Sequence, residues 1–194
     1  MRTSKLSKRG KLMSLLSLVL VGALSFCLVS CGKSDVKVIR NALNDELELI
    51  KKLDQPALEA MLGTAINNAD LKAYGIDRVE FNKAWMGGFD YSVDKVEIDG
   101  DSAKASITIT CKKLADIKAR FDISFKAFAT GNEVARMPEA EVTAKTRSLM
   151  MEAIAGTSTT TTNITLTYVK VDNTWRPGPG TDAELLRAFV GNMQ

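Results

Sequence analysis

FDYSVDKVEIDGDSAKASITITC, residues 89–111, is the stretch on which the fold turns. Tyr91 and Val93 alternate with polar residues, and Val96 and Ile98 alternate in the opposite parity. A bulge near Asp94 or Lys95 reconciles the two halves, because one extra residue exchanges the faces of a strand. Asp99-Gly100 is a favoured hairpin turn, since Asp and Gly tolerate the positive φ angles of a tight type I′ turn. The return strand has Ala103, Ala105, Ile107, Ile109 and Cys111 at odd positions, and Ser102, Lys104, Ser106, Thr108, Thr110 and Lys112 at even ones. A strand alternates its side chains across the sheet, so one face is buried and the other wetted.

Upstream, Val36, Ile39, Leu43, Leu47, Ile50 and Leu53 recur at threes and fours with charges between them, which is the pattern of an amphipathic helix with Ser34 or Asp35 as cap. Asp54-Gln55-Pro56 interrupts and restarts the chain, and Leu58, Met61, Leu62, Ala65, Ile66 and Ala69 continue as a second helix. Asp77 to Glu80 has the spacing of a capping box before a shorter helix through Trp85, and Gly87-Gly88 stops it. The N-terminal helices thus occupy residues 35–87 and the first strands 89–112.

Downstream, Leu114, Ile117, Phe121, Phe125 and Phe128 have helical spacing, while Phe121, Ile123, Phe125 and Ala127 alternate like a strand. The run is long, without a turn signal, and contains Ala, Lys and Leu, which favours helix. Pro138 opens another helix that ends at Gly156, so residues 114–155 are helical. The β-branched Thr157–Val171 segment makes a long strand, Asp172-Asn173 turns it, and Trp175 sits on a short return, giving strands over 159–176. Asp182 caps a last helix over 182–191. The expected fold class is α+β: a curved antiparallel sheet of three to four strands packed by helices, forming one domain over residues 35–194.

Composition sets the remaining bounds. At 194 residues, 45% hydrophobic and 25% charged, the chain suits one globular domain with an appendage. The net charge of +3 is concentrated: Arg2, Lys5, Lys8, Arg9 and Lys11 precede an uncharged, apolar stretch through Ser30. Taking these 5 from 26 Lys and Arg leaves 21 against 23 Asp and Glu. The remainder is therefore slightly acidic, which argues against nucleic acid as a partner. A cationic start, an apolar stretch and a small residue before Cys31 read as a signal peptide over residues 1–30. Leu28-Val29-Ser30-Cys31 resembles the lipobox of bacterial lipoproteins. That resemblance implies cleavage after Ser30, a diacylglyceryl thioether on Cys31, a short tether over 31–34, and location at the cell membrane on its extracytoplasmic face. Two acyl chains anchor stably where one is marginal.

The chain contains no His, which removes Ser-His-Asp and Cys-His nucleophile systems and the commonest zinc ligand. Neither Gly87-Gly88 nor Gly178-Pro179-Gly180 matches a phosphate or dinucleotide loop, so no cofactor is indicated. No metal site is expected either, because Asp94, Glu97, Asp99 and Asp101 lack the spacing of a calcium loop. Cys111 shares the apolar face of its strand and reads as a buried thiol. Trp85 and Trp175 read as core anchors, and Met137, Met150 and Met151 as helix-core residues.

The order of these elements, with Tyr91 to Ile98, Asp99-Gly100-Asp101, Ala103 to Cys111, and Thr161 to Val171 ending in Asp172-Asn173-Thr174-Trp175, resembles lipoproteins of Gram-positive bacteria with a nuclear transport factor 2-like or cystatin-like domain. The resemblance implies helices wrapped on a curved sheet around a cone-shaped cavity. The helix pair between the second and third long strands departs from the compact enzymes of that superfamily. Trp85, Phe89, Tyr91, Tyr168 and Trp175 are the large side chains expected to border the cavity. The expected function is noncatalytic binding of an apolar small molecule, a peptide or an envelope protein. The alternative is a pocket enzyme of the isomerase type, for which Asp90, Tyr91 and Tyr168 are the candidates.

Overall fold

A computed structural model describes residues 33–191, with positions 64 and 67 excepted. Residues 1–30, expected to be a signal peptide, and Cys31 lie outside the described residues. The architecture is α+β: one open antiparallel sheet of four strands in the order β1-β2-β3-β4, packed by seven α-helices among the described residues. The strands are β1 (Asp90–Asp99), β2 (Ser102–Cys111), β3 (Thr160–Val171) and β4 (Thr174–Pro177). The helices are α1 (Lys33–Lys51), α2 (Gln55–Leu62), α3 (Asn68–Ala73), α4 (Arg78–Trp85), α5 (Leu114–Ala129), α6 (Glu139–Gly156) and α7 (Thr181–Val190).

The sheet obeys the alternation of its sequence. Val93 pairs with Ile107 and Lys95 with Ser106, leaving Asp94 as the bulged residue. The guanidinium of Arg40 on α1 donates to the Val93 carbonyl, so a helix side chain occupies the backbone group that the bulge turns outward. Across the sheet the inner face carries rows such as Val93, Ile107 and Ile164, and Val96, Ala105 and Leu166. These join Ile39, Leu43, Leu47 and Ile50 of α1 and Leu185, Ala188 and Phe189 of α7 in one core. Burying a Leu or Ile side chain contributes about 1.5–3 kcal/mol, so this two-layer contact is the main stabilising term. A smaller cluster of Phe121, Leu149 and Ala153 joins α5 to α6.

Several local expectations change. Both tight turns are two-residue hairpins, but only Gly100 of the Gly100-Asp101 loop takes a positive φ, 57°, which matches type II′ rather than type I′. The type I′ pattern falls instead at Asp172-Asn173, where φ is 50° and 58°. The helix expected from Leu58 to Ala69 ends at Leu62, and Asn68–Ala73 forms a separate short helix. Gly63 and the Asn-rich segment after it are poor helix formers, and the break costs little. Asp77 caps α4 through the Val79 and Glu80 amides, but the Glu80 carboxylate does not close a capping box; it accepts from Arg147 on α6. Asp182 lies in the first turn of α7, after Gly180 at the capping position, and favours the helix through its dipole. Ser34 and Asp35 lie inside α1, which has begun at Lys33, so the tether expected over 31–34 is already helical at its end.

Candidate functional site

The residues proposed to border a cavity belong to the core. Trp85, Phe89, Tyr168 and Trp175 are buried members of the main cluster, and Tyr91 packs against it. Trp85 donates its indole N–H to the Lys112 carbonyl at 2.9 Å. Phe89 lies between Tyr91 and Phe189, with ring centroids 6.0 and 5.6 Å away. The Tyr91 hydroxyl donates to the Asn44 carbonyl at 3.0 Å, and burial with the nearby Glu48 raises its pKa. Asp90 is 64% exposed and pairs with Lys51 at 2.7 Å, which holds its carboxyl below the usual range. Asp90 and Tyr91 point to opposite faces of β1, so the structure does not bring this pair together.

Tyr168 has different company. It lies on the inner face of β3 opposite Ala103 and Pro177, with Glu46 of α1 and Asp182 of α7 as its charged neighbours. Burial, then the charges of Glu46 on α1 and Asp182 on α7, raise the pKa of its phenol, which stays protonated and able to donate. Glu46 is half-buried, and its pKa is pushed up to about 7, first by burial and then by Asp182 and Asp45. Among the described residues Glu46 forms no ion pair. One helix, one strand and the first turn of a second helix thus supply a carboxyl that exchanges its proton near neutrality, a phenol donor and a second carboxylate.

The neighbouring position carries a related feature. Trp175 faces Lys170 across β3 and β4, and its ring lies 5.4 Å from the Lys170 ammonium, which also donates to Asp35 at 2.9 Å. At 3% exposure, Trp175 keeps its indole N–H without a partner, the one buried side-chain polar atom so left among the described residues. Buried polar groups are satisfied in the great majority of cases, so this donor is exceptional.

The sequence reading missed Glu46 and Asp182. A signal existed for Glu46: it stands three residues after Leu43 and four before Ile50, which places it on the flank of the apolar stripe. Asp182 carries only a helix-cap signal in the sequence. Cys111 is buried, as expected, and burial raises its thiol pKa. Among the described residues no group of His, Cys, Asp and Glu side chains is placed to hold a metal ion, and no helix is long and apolar enough to cross a membrane. Comparison of the chain with protein-family models, with curated proteins and with solved structures gives no match.

Proposed function

We propose that the chain is a lipoprotein held on the extracytoplasmic face of a membrane through Cys31, with a domain that binds an apolar small molecule or an envelope partner and performs no chemistry. The observation that carries the binding reading is the buried Trp175 indole N–H, which has no hydrogen-bond partner among the described residues; its strand partner Lys170 stands two residues along β3 from Tyr168, whose charged neighbours are Glu46 and Asp182. A buried donor without a partner among apolar side chains suits a ligand with an apolar body and a polar end. Anchoring is supported by the leader, and α1 begins two residues after Cys31, which would keep the domain against the bilayer.

The test is thermal unfolding of the protein with 1-anilinonaphthalene-8-sulfonate and with long-chain alcohols of graded length. A ligand that binds only the native state raises Tm by mass action. Tyr168→Phe, which deletes the hydroxyl alone, should weaken that rise. An unchanged Tm with every probe, together with no envelope protein recovered by cross-linking in intact cells, would reject the binding reading.

A specific observation keeps the enzyme alternative and moves it. Glu46, with a pKa near 7, has the character of a general base, and protonated Tyr168 that of a donor to an oxyanion. Asp90 and Tyr91 have no such arrangement. Conversion of a β,γ-unsaturated ketone to its conjugated isomer, lost in Glu46→Gln, would favour this reading over binding alone.

A further inference from the structure

The two edges of the sheet are built differently. On β1 the outward groups are defended: Asp94 bulges, Arg40 donates to the Val93 and Asp94 carbonyls, and Lys95 and Glu97 place charge along the strand. Bulges and charges are the usual means of blocking edge-to-edge pairing. On the other side β4 is short and covers only Tyr168 to Val171 of β3. Thr167, next along, is closed by the Gly178 N–H at 2.7 Å and by the Thr181 hydroxyl. Beyond it, Thr160 to Leu166 pairs with β2 on one side and with no strand on the other.

The parity of this free edge follows from the bonds already named. Thr167 directs its N–H and C=O away from β2, so Thr165, Asn163 and Thr161 do the same. These three residues are exposed, and no backbone hydrogen bond closes their outward groups among the described residues. From Thr160 to Val169 the strand carries no charge and no Pro. It is an open pairing template without the devices that protect β1.

We propose that this edge pairs antiparallel with the same edge of a second copy of the chain, about a two-fold axis at Asn163. Antiparallel pairing about a dyad is self-complementary. With the axis at Asn163, the outward N–H and C=O of Asn163 meet those of its mate, and the outward groups of Thr161 meet those of Thr165 in the other copy. No like charges come together, because the segment has none. The uncharged run of Thr and Asn offers no side-chain pocket or charge for selecting a foreign strand, and selection of that kind gives strand-addition sites their specificity. A dyad of this type stands normal to the sheet, so α1 of both copies stays on one face. On the lipid-anchor reading, both tethers would then reach one bilayer, and confinement there would raise the effective concentration of a modest interface.

Sedimentation equilibrium of the full chain in detergent, over a wide concentration range, should show a monomer–dimer equilibrium. Thr161→Lys with Thr165→Lys sets lysines opposite lysines twice and should weaken the dimer about tenfold or more. Thr161→Lys with Thr165→Glu sets opposite charges at the same places and should restore it. Both side chains are exposed on the outer face, and circular dichroism of each variant checks that the fold is kept. A chain that stays monomeric throughout, a dimer indifferent to the two lysines, or failure of the lysine–glutamate variant to recover would overturn the proposal. Recovery of a different protein cross-linked to this edge would overturn it in favour of a foreign strand.

Discussion

The Lys170 ammonium donates to the Asp35 carboxylate at 2.9 Å, and this pair ties the first turn of α1 to the end of β3. Both side chains are largely shielded, and Lys170 also lies over the Trp175 ring. Deleting one member of such a pair leaves the other charge poorly solvated, so Asp35→Leu or Lys170→Met should each cost about 2 kcal/mol or more. The double variant should cost less than the sum, because neither charge then remains unpaired. Urea midpoints of the four proteins in the cycle measure this coupling, and strictly additive losses would refute it.

Glu46 gives stability a pH dependence of definite sign. With a folded-state pKa of about 7 against an ordinary 4.5, the native state retains a proton that the unfolded chain has released. Stability is therefore fully present below about 4.5, falls as pH rises to about 7, and stays reduced above it. The slope is at most about 1.4 kcal/mol per pH unit. Glu46→Gln removes the penalty: the variant should be more stable than the parent near pH 8 and similar to it near pH 4. Parallel unfolding curves for the two proteins across that range would show that Glu46 does not titrate as described.

Gly100 turns the β1–β2 hairpin with a φ of 57°, and a Cβ placed there would meet nothing within 4 Å. Gly100→Val therefore tests backbone strain without a clash, and should destabilise by about 1 kcal/mol or more. An unchanged denaturation midpoint would contradict this account of the turn.

Cys31→Ser should abolish lipid attachment, since a hydroxyl cannot form the thioether, and leave uncleaved precursor. Metabolic labelling with palmitate reads the outcome directly, and a labelled serine variant would remove Cys31 as the lipidation site.

The sheet was legible because alternation is a local property: the odd residues of Ala103 to Cys111 are buried in fact, and the parity change after Val93 is the bulge at Asp94. Residues 114–129, open to two readings, are helical, with Leu114, Ile117 and Phe121 buried at helical spacing. The candidate site was harder to read. Glu46, Tyr168 and Asp182 lie on three different elements, and only the packing of α1 over β1 and of α7 over β3 gives them a common electrostatic environment. Asp35 looked like a cap for a similar reason: nothing near it in sequence announces Lys170. Asp90 and Tyr91 face opposite ways because they are adjacent on a strand, which the sequence already implies; the pairing of Asp90 with Lys51 on α1 is what it does not announce.

The helix pair α5 and α6 sits between β2 and β3, the central strands of the sheet, so residues 112–159 intervene between partners that must meet. The β1–β2 hairpin closes across two residues and can form early, whereas β2–β3 pairing bears the entropy of a long loop until the intervening chain is compact. The contacts of Phe121 with Leu149 and Ala153 fold that loop back on itself and shorten the gap. Order of assembly is thereby written into connectivity. Loosening the helix pair with Leu149→Ala should slow refolding, while the same loss of packing at Leu185 in α7 should mainly hasten unfolding. Stopped-flow rates for the two variants separate these cases, and equal partition between folding and unfolding would discard the order.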